Sequence, residues 1–210
     1  MKVSGTYTFA ASQRTVWDAL QNPTVLTSIL PGCERLEEKG ENEFEGVLDI
    51  KVGPVQGSFK GTIQMLDLVE PESFTLKMAG QGSTGFVNAT ARVGLEAAGE
   101  GTLLRYDSDA QVGGRIAGVG QRLLDSSARS IIQQSLNGFN ELVQAADQSR
   151  TSDTDSRAAV EAAAAGYQPP SQSELAGRVA RDVARESLPR PLLIGGAILL
   201  LLLLAYLLLT

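Results

Sequence analysis

Residues 44–65 read FEGVLDIKVGPVQGSFKGTIQM, and the parity of their side chains decides the fold. Phe44, Leu48, Ile50 and Val52 share one face at a period of two. Across the Gly53-Pro54 turn, Val55, Gly57, Phe59, Gly61, Ile63 and Met65 do the same while Lys60 and Gln64 point away. That alternation predicts antiparallel strands with one wet face. The pattern continues downstream through Phe74, Leu76 and Met78, then Val87, Ala89, Ala91, Val93 and Leu95. After the turn at residues 99–101 come Leu104, Tyr106, Ser108, Ala110 and Val112. The middle of the chain is therefore a meander.

Helical spacing flanks it on both sides. Residues 3–9 alternate as a first strand, after which Val16, Trp17, Ala19 and Leu20 follow Ser12, a natural N-cap. A second helical patch at residues 25–30 is closed by Pro31-Gly32. At the other end Ile116, Leu123, Leu124, Ile131, Phe139 and Leu142 lie on one side of a long helix predicted over residues 116–146. One strand, two short helices, a curved meander and a long closing helix make residues 1–148 an α+β domain of the helix-grip kind. In that arrangement the sheet wraps the last helix and leaves a cavity between them.

The inward positions are uneven in size. Gly57, Gly61, Ala89, Ala91, Ser108 and Ala110 share the face of Phe59, Met65 and Met78, and Ser127 and Ser135 on the facing helix are small too. Such a face either leaves space for a hydrophobic ligand of a few hundred Å3 or is filled by large neighbours leaning over it. Both outcomes are open at this level. Trp17, Leu26, Ile29, Phe59, Met78, Phe86 and Leu124 are the candidate ligand-binding wall and mouth residues, ordinary core packing being the alternative for each. Phe86 falls on the outward parity of its strand, which suits a rim or partner contact better than a deep wall.

Composition narrows the chemistry. The 210 residues carry 18 Lys+Arg and 24 Asp+Glu, and residues 1–148 hold 12 basic and 18 acidic side chains. An acidic domain without a basic stripe argues against nucleic-acid binding. The chain contains no histidine, which removes the commonest general base and the Ser-His and Cys-His nucleophile pairs. A single cysteine, Cys33, forms neither an internal disulfide nor a Cys-based zinc site, and reads as a small buried hydrophobe. Asp107 and Asp109 share the outward face of a strand and read as solvated. The acidic run Glu37, Glu38, Glu41, Glu43 and Glu45 reads as a solvated hairpin, with a docking patch as its alternative. Gly118-Val119-Gly120 lacks the third glycine and the βαβ setting of a dinucleotide fingerprint. No catalytic, metal-ligating or covalent cofactor residues emerge.

The C-terminus is of another kind. Residues 192–209, LLIGGAILLLLLLAYLLL, carry no charge, and at about 1.5 Å per residue a helix of that length spans roughly 27 Å, close to a bilayer core. Residues 191–210 are thus expected to be a transmembrane anchor. Arg178, Arg181, Arg185 and Arg190 make residues 174–190 a basic juxtamembrane segment, which favours the cytoplasmic side for everything N-terminal to the span. The start MKVSGTYTFA lacks the apolar core of a signal peptide, so the expectation is a single-pass, tail-anchored protein of the cytoplasmic membrane. Residues 149–173, with their Ser, Thr, Asp, alanine run and Pro169-Pro170, read as a flexible linker.

Four pieces of sequence carry a resemblance: the opening KVSGTYTF, LPGCERLE at residues 30–37, the GSFKGTI strand at residues 57–63, and VGGRIAGVGQRLLDSSAR leading into the final helix. Over about residues 1–146 the chain resembles the CoxG family of carbon monoxide dehydrogenase accessory proteins, within the START/Bet v 1-like superfamily. The resemblance implies an accessory, non-catalytic protein that brings a molybdenum-containing carbon monoxide dehydrogenase, or a related hydroxylase, to the membrane. It further implies a respiratory quinone, menaquinone or ubiquinone, as ligand in the apolar cavity, with membrane lipid as its source. A pure membrane tether or assembly factor with no ligand is the alternative.

Overall fold

The computed structural model describes residues 1–149 and 156–167. Seven antiparallel strands form one sheet: β1 Lys2–Phe9, β2 Cys33–Gly40, β3 Glu43–Val52, β4 Val55–Val69, β5 Ser73–Gly82, β6 Gly85–Ala98 and β7 Gly101–Gly113. Their spatial order is β1-β7-β6-β5-β4-β3-β2. Every link from β2 to β7 is therefore a hairpin. The alternation expected from the sequence holds in register, with Phe59 and Met65 buried while Lys60 and Thr62 are exposed.

Three glycines lie side by side across the sheet, since Gly46 pairs with Gly61 and Gly61 with Gly80. A Cβ on Gly61 would stand 2.4 Å from the carbonyl oxygen of Ala79, and one on Gly46 would stand 2.6 Å from that of Arg35. Glycine at these positions lets neighbouring backbones approach more closely than any side chain allows.

Helices α1 Gln13–Leu20 and α2 Pro23–Ile29 follow β1. Ser12 caps α1 through its side chain and Asn22 caps α2. The closing helix starts later than the spacing predicts. Residues Arg115–Val119 form a 3-10 turn, Gly120 sits at φ 92°, and α3 runs Gln121–Ser149. A right-handed helix cannot pass through a residue at positive φ, so Gly120 sets the boundary and Ile116 is buried from the turn instead. The end of α3 is tied to the start of α1, where the Asp147 carboxylate accepts hydrogen bonds from Ser12 Oγ at 3.0 Å and Thr15 Oγ1 at 2.6 Å.

The expected flexible linker is corrected in part. Residues Ser156–Gly166 form a fourth helix, α4, which packs against α1, α2 and α3. Val160 is 0% exposed, and Ala159 and Ala164 are buried with it in the main core. Asp18 of α1 receives the Ser156 hydroxyl, and Arg14 pairs with the same carboxylate at 2.9 Å. The alanine-rich composition reads as coil only because one valine and several methyl groups look too little for a core. They suffice here because α1, α2 and α3 already present an apolar surface to cover, and alanine is the strongest helix former. The packed domain thus runs to Tyr167 rather than ending at residue 148. The basic juxtamembrane segment and the span at residues 192–209 lie outside the described residues, and no described helix is long and apolar enough to cross a membrane.

Candidate ligand-binding hollow

Buried apolar side chains of the described residues fall into two groups. The larger holds Phe9, Trp17, Val25, Ile29, Phe74 and Phe139 among others, beneath α1, α2 and α4. The smaller holds Val52, Phe59 and Ile116, with Leu123 and Leu124 against them. Between the two lies the middle of the sheet. Met78 and Ala89 keep partial accessibility there although they face inward, and the buried Ala91 and Ala110 belong to neither group. A Cβ added to Gly80 would meet nothing nearer than the carbonyl oxygen of Val87 at 3.9 Å. A continuous core would have closed that space, because interiors pack to crystal-like density. The small inward residues opposite α3, between the two groups, mark the candidate hollow.

A concave site lies beside β7. A pocket of about 310 Å3 is lined by Ala110 and Val112 on the inward face, by Ala117, Gln121 and Leu124 on the helix side, and by Met1. The N-terminal ammonium is held there, donating to the Ala110 carbonyl at 2.7 Å and standing 3.8 Å from Asp109. One turn beyond Leu124 on α3 comes Ser127, 3% exposed, and two turns further Gln134, 6% exposed. Among the described residues neither has a hydrogen-bond partner through its side chain, and Ser135 Oγ also lacks one. Orphaned polar atoms at this depth are rare in native interiors.

The candidate residues separate accordingly. Trp17, Leu26 and Ile29 sit in or against the larger core group, where the Trp17 ring meets Phe74 edge-on at 5.8 Å. Phe59 is buried in the smaller group and Leu124 packs on it while lining the pocket. Met78 lies between, at the hollow. Phe86 is on the other side of the sheet, 43% exposed, with its ring over Gly113. It walls a separate outer groove of about 500 Å3 together with Glu45, Lys60, Thr62, Gln81 and Asn88, floored by the backbone of Gly61 and Gly80. The odd-even parity of β6 forces that placement, so Phe86 is no part of the hollow. In the groove Lys60 bonds Glu45 at 3.0 Å and holds its carboxyl below the ordinary range.

Sequence reasoning missed Gln134. Leu124, Ser127, Ile131 and Gln134 follow one stripe of α3, so a long polar side chain in line with Leu124 and Ile131 was the available signal. Little else in the hollow is chemically active. Asp107 and Asp109 are exposed on the outward face, and burial pushes the Cys33 thiol and the Tyr7 and Tyr167 phenols up. Among the described residues no cluster of His, Cys, Asp and Glu is placed to hold a metal ion.

Comparison with known proteins fits this geometry. The family model of the carbon monoxide dehydrogenase G-type subunit (CoxG) matches residues 5–144. A conserved protein from Geobacillus kaustophilus has the same fold at 30% identity and a TM-score of 0.66, covering 68% of this chain and 95% of its own. An aromatase/cyclase from Streptomyces sp. R1128 shares the fold at 15% identity, with a TM-score of 0.54 over 74% of this chain and 99% of its own. A START superfamily protein from Mycobacterium smegmatis does so at 18% identity, with a TM-score of 0.50 over 67% and 97%. A search of curated proteins finds no match. With the family model covering well over half of its length, the chain belongs to the CoxG family of carbon monoxide dehydrogenase.

Proposed function

We propose that the protein is a non-catalytic, membrane-anchored carrier that takes a respiratory quinone from the bilayer into the hollow and presents it to a molybdenum hydroxylase of the carbon monoxide dehydrogenase type. The split core carries this reading. An apolar space between two packed groups suits a long hydrocarbon better than any polar substrate. A polyprenyl tail loses about 0.8 kcal/mol for each CH2 exposed to water, so a quinone leaves the membrane only when a protein covers it. Residues 192–209 would supply the anchor and keep the carrier at high local concentration beside its source. The family name supports the partner enzyme, which docks and is thereby recruited to the cytoplasmic membrane. A chain without histidine, whose hollow holds no buried pair of carboxylates among the described residues, offers no general acid-base pair for a cyclase reaction.

Residues 1–167 contain the sheet, α1 to α4 and both core groups. Incubated with vesicles containing long-tailed quinone and separated from them by sedimentation, this fragment is expected to hold quinone in the supernatant at close to one per chain. Folded fragment that leaves all quinone in the vesicles would reduce the protein to a tether.

A further inference from the structure

Four buried polar atoms of α3 have no partner among the described residues: Ser127 Oγ, Gln134 Nε2 and Oε1, and Ser135 Oγ. Each belongs to a group that both donates and accepts, an amide or a hydroxyl. None is charged. The buried polar and charged side chains among the described residues are Thr15, Asp18, Thr84, Thr102, Ser127, Gln134 and Ser156, so no lysine or arginine is buried beside α3 to neutralise an anion. An unpaired carboxylate or phosphate entering this space would meet a heavy desolvation cost.

We propose that Gln134, with Ser127 and Ser135, is the polar anchor of the hollow and selects a neutral head group that carries carbonyl or hydroxyl oxygens, in either oxidation state. This rests on the carrier reading and specifies its ligand. A quinone carbonyl only accepts, and takes the Gln134 Nε2 hydrogens or a serine hydroxyl. A quinol hydroxyl also donates, and gives its hydrogen to Gln134 Oε1 or to a serine oxygen. The same side chains therefore satisfy both forms without moving charge. A lone lysine would favour the acceptor form and a lone aspartate the donor form, whereas a shuttle has to hold the ligand before and after reduction. The Met1 ammonium in the pocket beside β7 already faces Asp109, so a carboxylate or phosphate beside Gln134 gains no cation of its own, and fatty acids and anionic lipids bind there more weakly. No described protein group satisfies these atoms, so the anchor costs stability that the ligand restores.

The test uses the full chain in amphipol and three probes with equal alkyl tails: a short-tailed benzoquinone, its quinol, and a fatty acid. Calorimetric titration of the unmodified chain is expected to give dissociation constants for quinone and quinol within about threefold of one another. The fatty acid is expected to bind at least tenfold more weakly. Gln134→Leu, which keeps the volume and removes both orphan atoms, is expected to weaken quinone and quinol alike by about tenfold. The same variant is expected to melt a few degrees higher in the absence of ligand, because it replaces an unsatisfied buried amide with an apolar side chain. Ser127→Ala, with one orphan removed, gives the same signs at smaller size and guards against misfolding of the first variant.

Undiminished quinone binding by both variants would overturn the anchor while leaving the carrier intact. So would a preference above about thirtyfold for one oxidation state, or tighter binding of the fatty acid. Absence of any quinone binding in the unmodified chain would remove the carrier reading and the anchor with it.

Discussion

Truncating Val160 to alanine tests whether α4 belongs to the domain. Val160 is 0% exposed, in the same core group as Trp17, Val25 and Phe139. The substitution removes two methyl groups, about 1.6 kcal/mol of burial at about 0.8 kcal/mol each. It also leaves up to about 50 Å3 unfilled, a further 1.2 kcal/mol or so at about 24 cal/mol per Å3 where the site does not collapse. The sum lies near 2–3 kcal/mol, and for a domain of this size each kcal/mol moves the midpoint by about 2–4 °C. Melting followed by the fluorescence of the single tryptophan, Trp17, is expected to fall by roughly 5–10 °C. Glu161→Ala, exposed on the same helix, is the control and is expected to leave the midpoint in place. A midpoint for Val160→Ala within about one degree of the unmodified protein would refute the packing of α4 on the core.

Filling the hollow gives a second test, because Ala89→Phe costs about 1–3 kcal/mol if the space is already packed. With the hollow as described, the variant is expected to fold and melt normally yet fail to take up quinone. Asp147→Ala removes the carboxylate that receives Ser12 Oγ and Thr15 Oγ1, and is expected to cost about 1–2 kcal/mol in chemical denaturation. Burial raises the Cys33 thiol above its ordinary range, so less of it is thiolate at neutral pH. Its reaction with a disulfide reagent is expected to be slow at pH 7 and to quicken at a higher pH than for free cysteine. Deleting residues 192–209 is expected to move both this chain and the proposed partner hydroxylase from the membrane fraction to the soluble one, and an unchanged distribution would contradict the anchor.

The strands were legible because a half-buried sheet writes its inside and outside into alternate residues, as Phe59 beside Lys60 and Val87 beside Asn88 show. Parity alone also puts Phe86 on the outer face. Helix ends were less legible. Ile116 fits the apolar stripe of α3, and only the backbone angle at Gly120 separates it from that helix. The helix α4 was hidden for an energetic reason: it has too little apolar surface to stand alone, and its burial depends on a surface that α3 builds together with the distant helices α1 and α2. Gln134 was hidden in the opposite way. A glutamine on a long helix normally faces water, and its burial becomes meaningful only once α3 is seen to lie across a sheet with glycine and alanine at its centre. The small inward residues suggested the hollow, but whether large neighbours would lean over it depended on three-dimensional packing between Met78, Phe59 and the helix.

The most direct measurement is the identity of what the protein holds when it leaves the cell. Residues 1–167, expressed beside the native membrane and purified without detergent, would be extracted with organic solvent and the extract identified by mass spectrometry. Near-stoichiometric isoprenoid quinone is the expected result. A folded protein whose extract contains no quinone, or mainly fatty acid or phospholipid, would contradict the account.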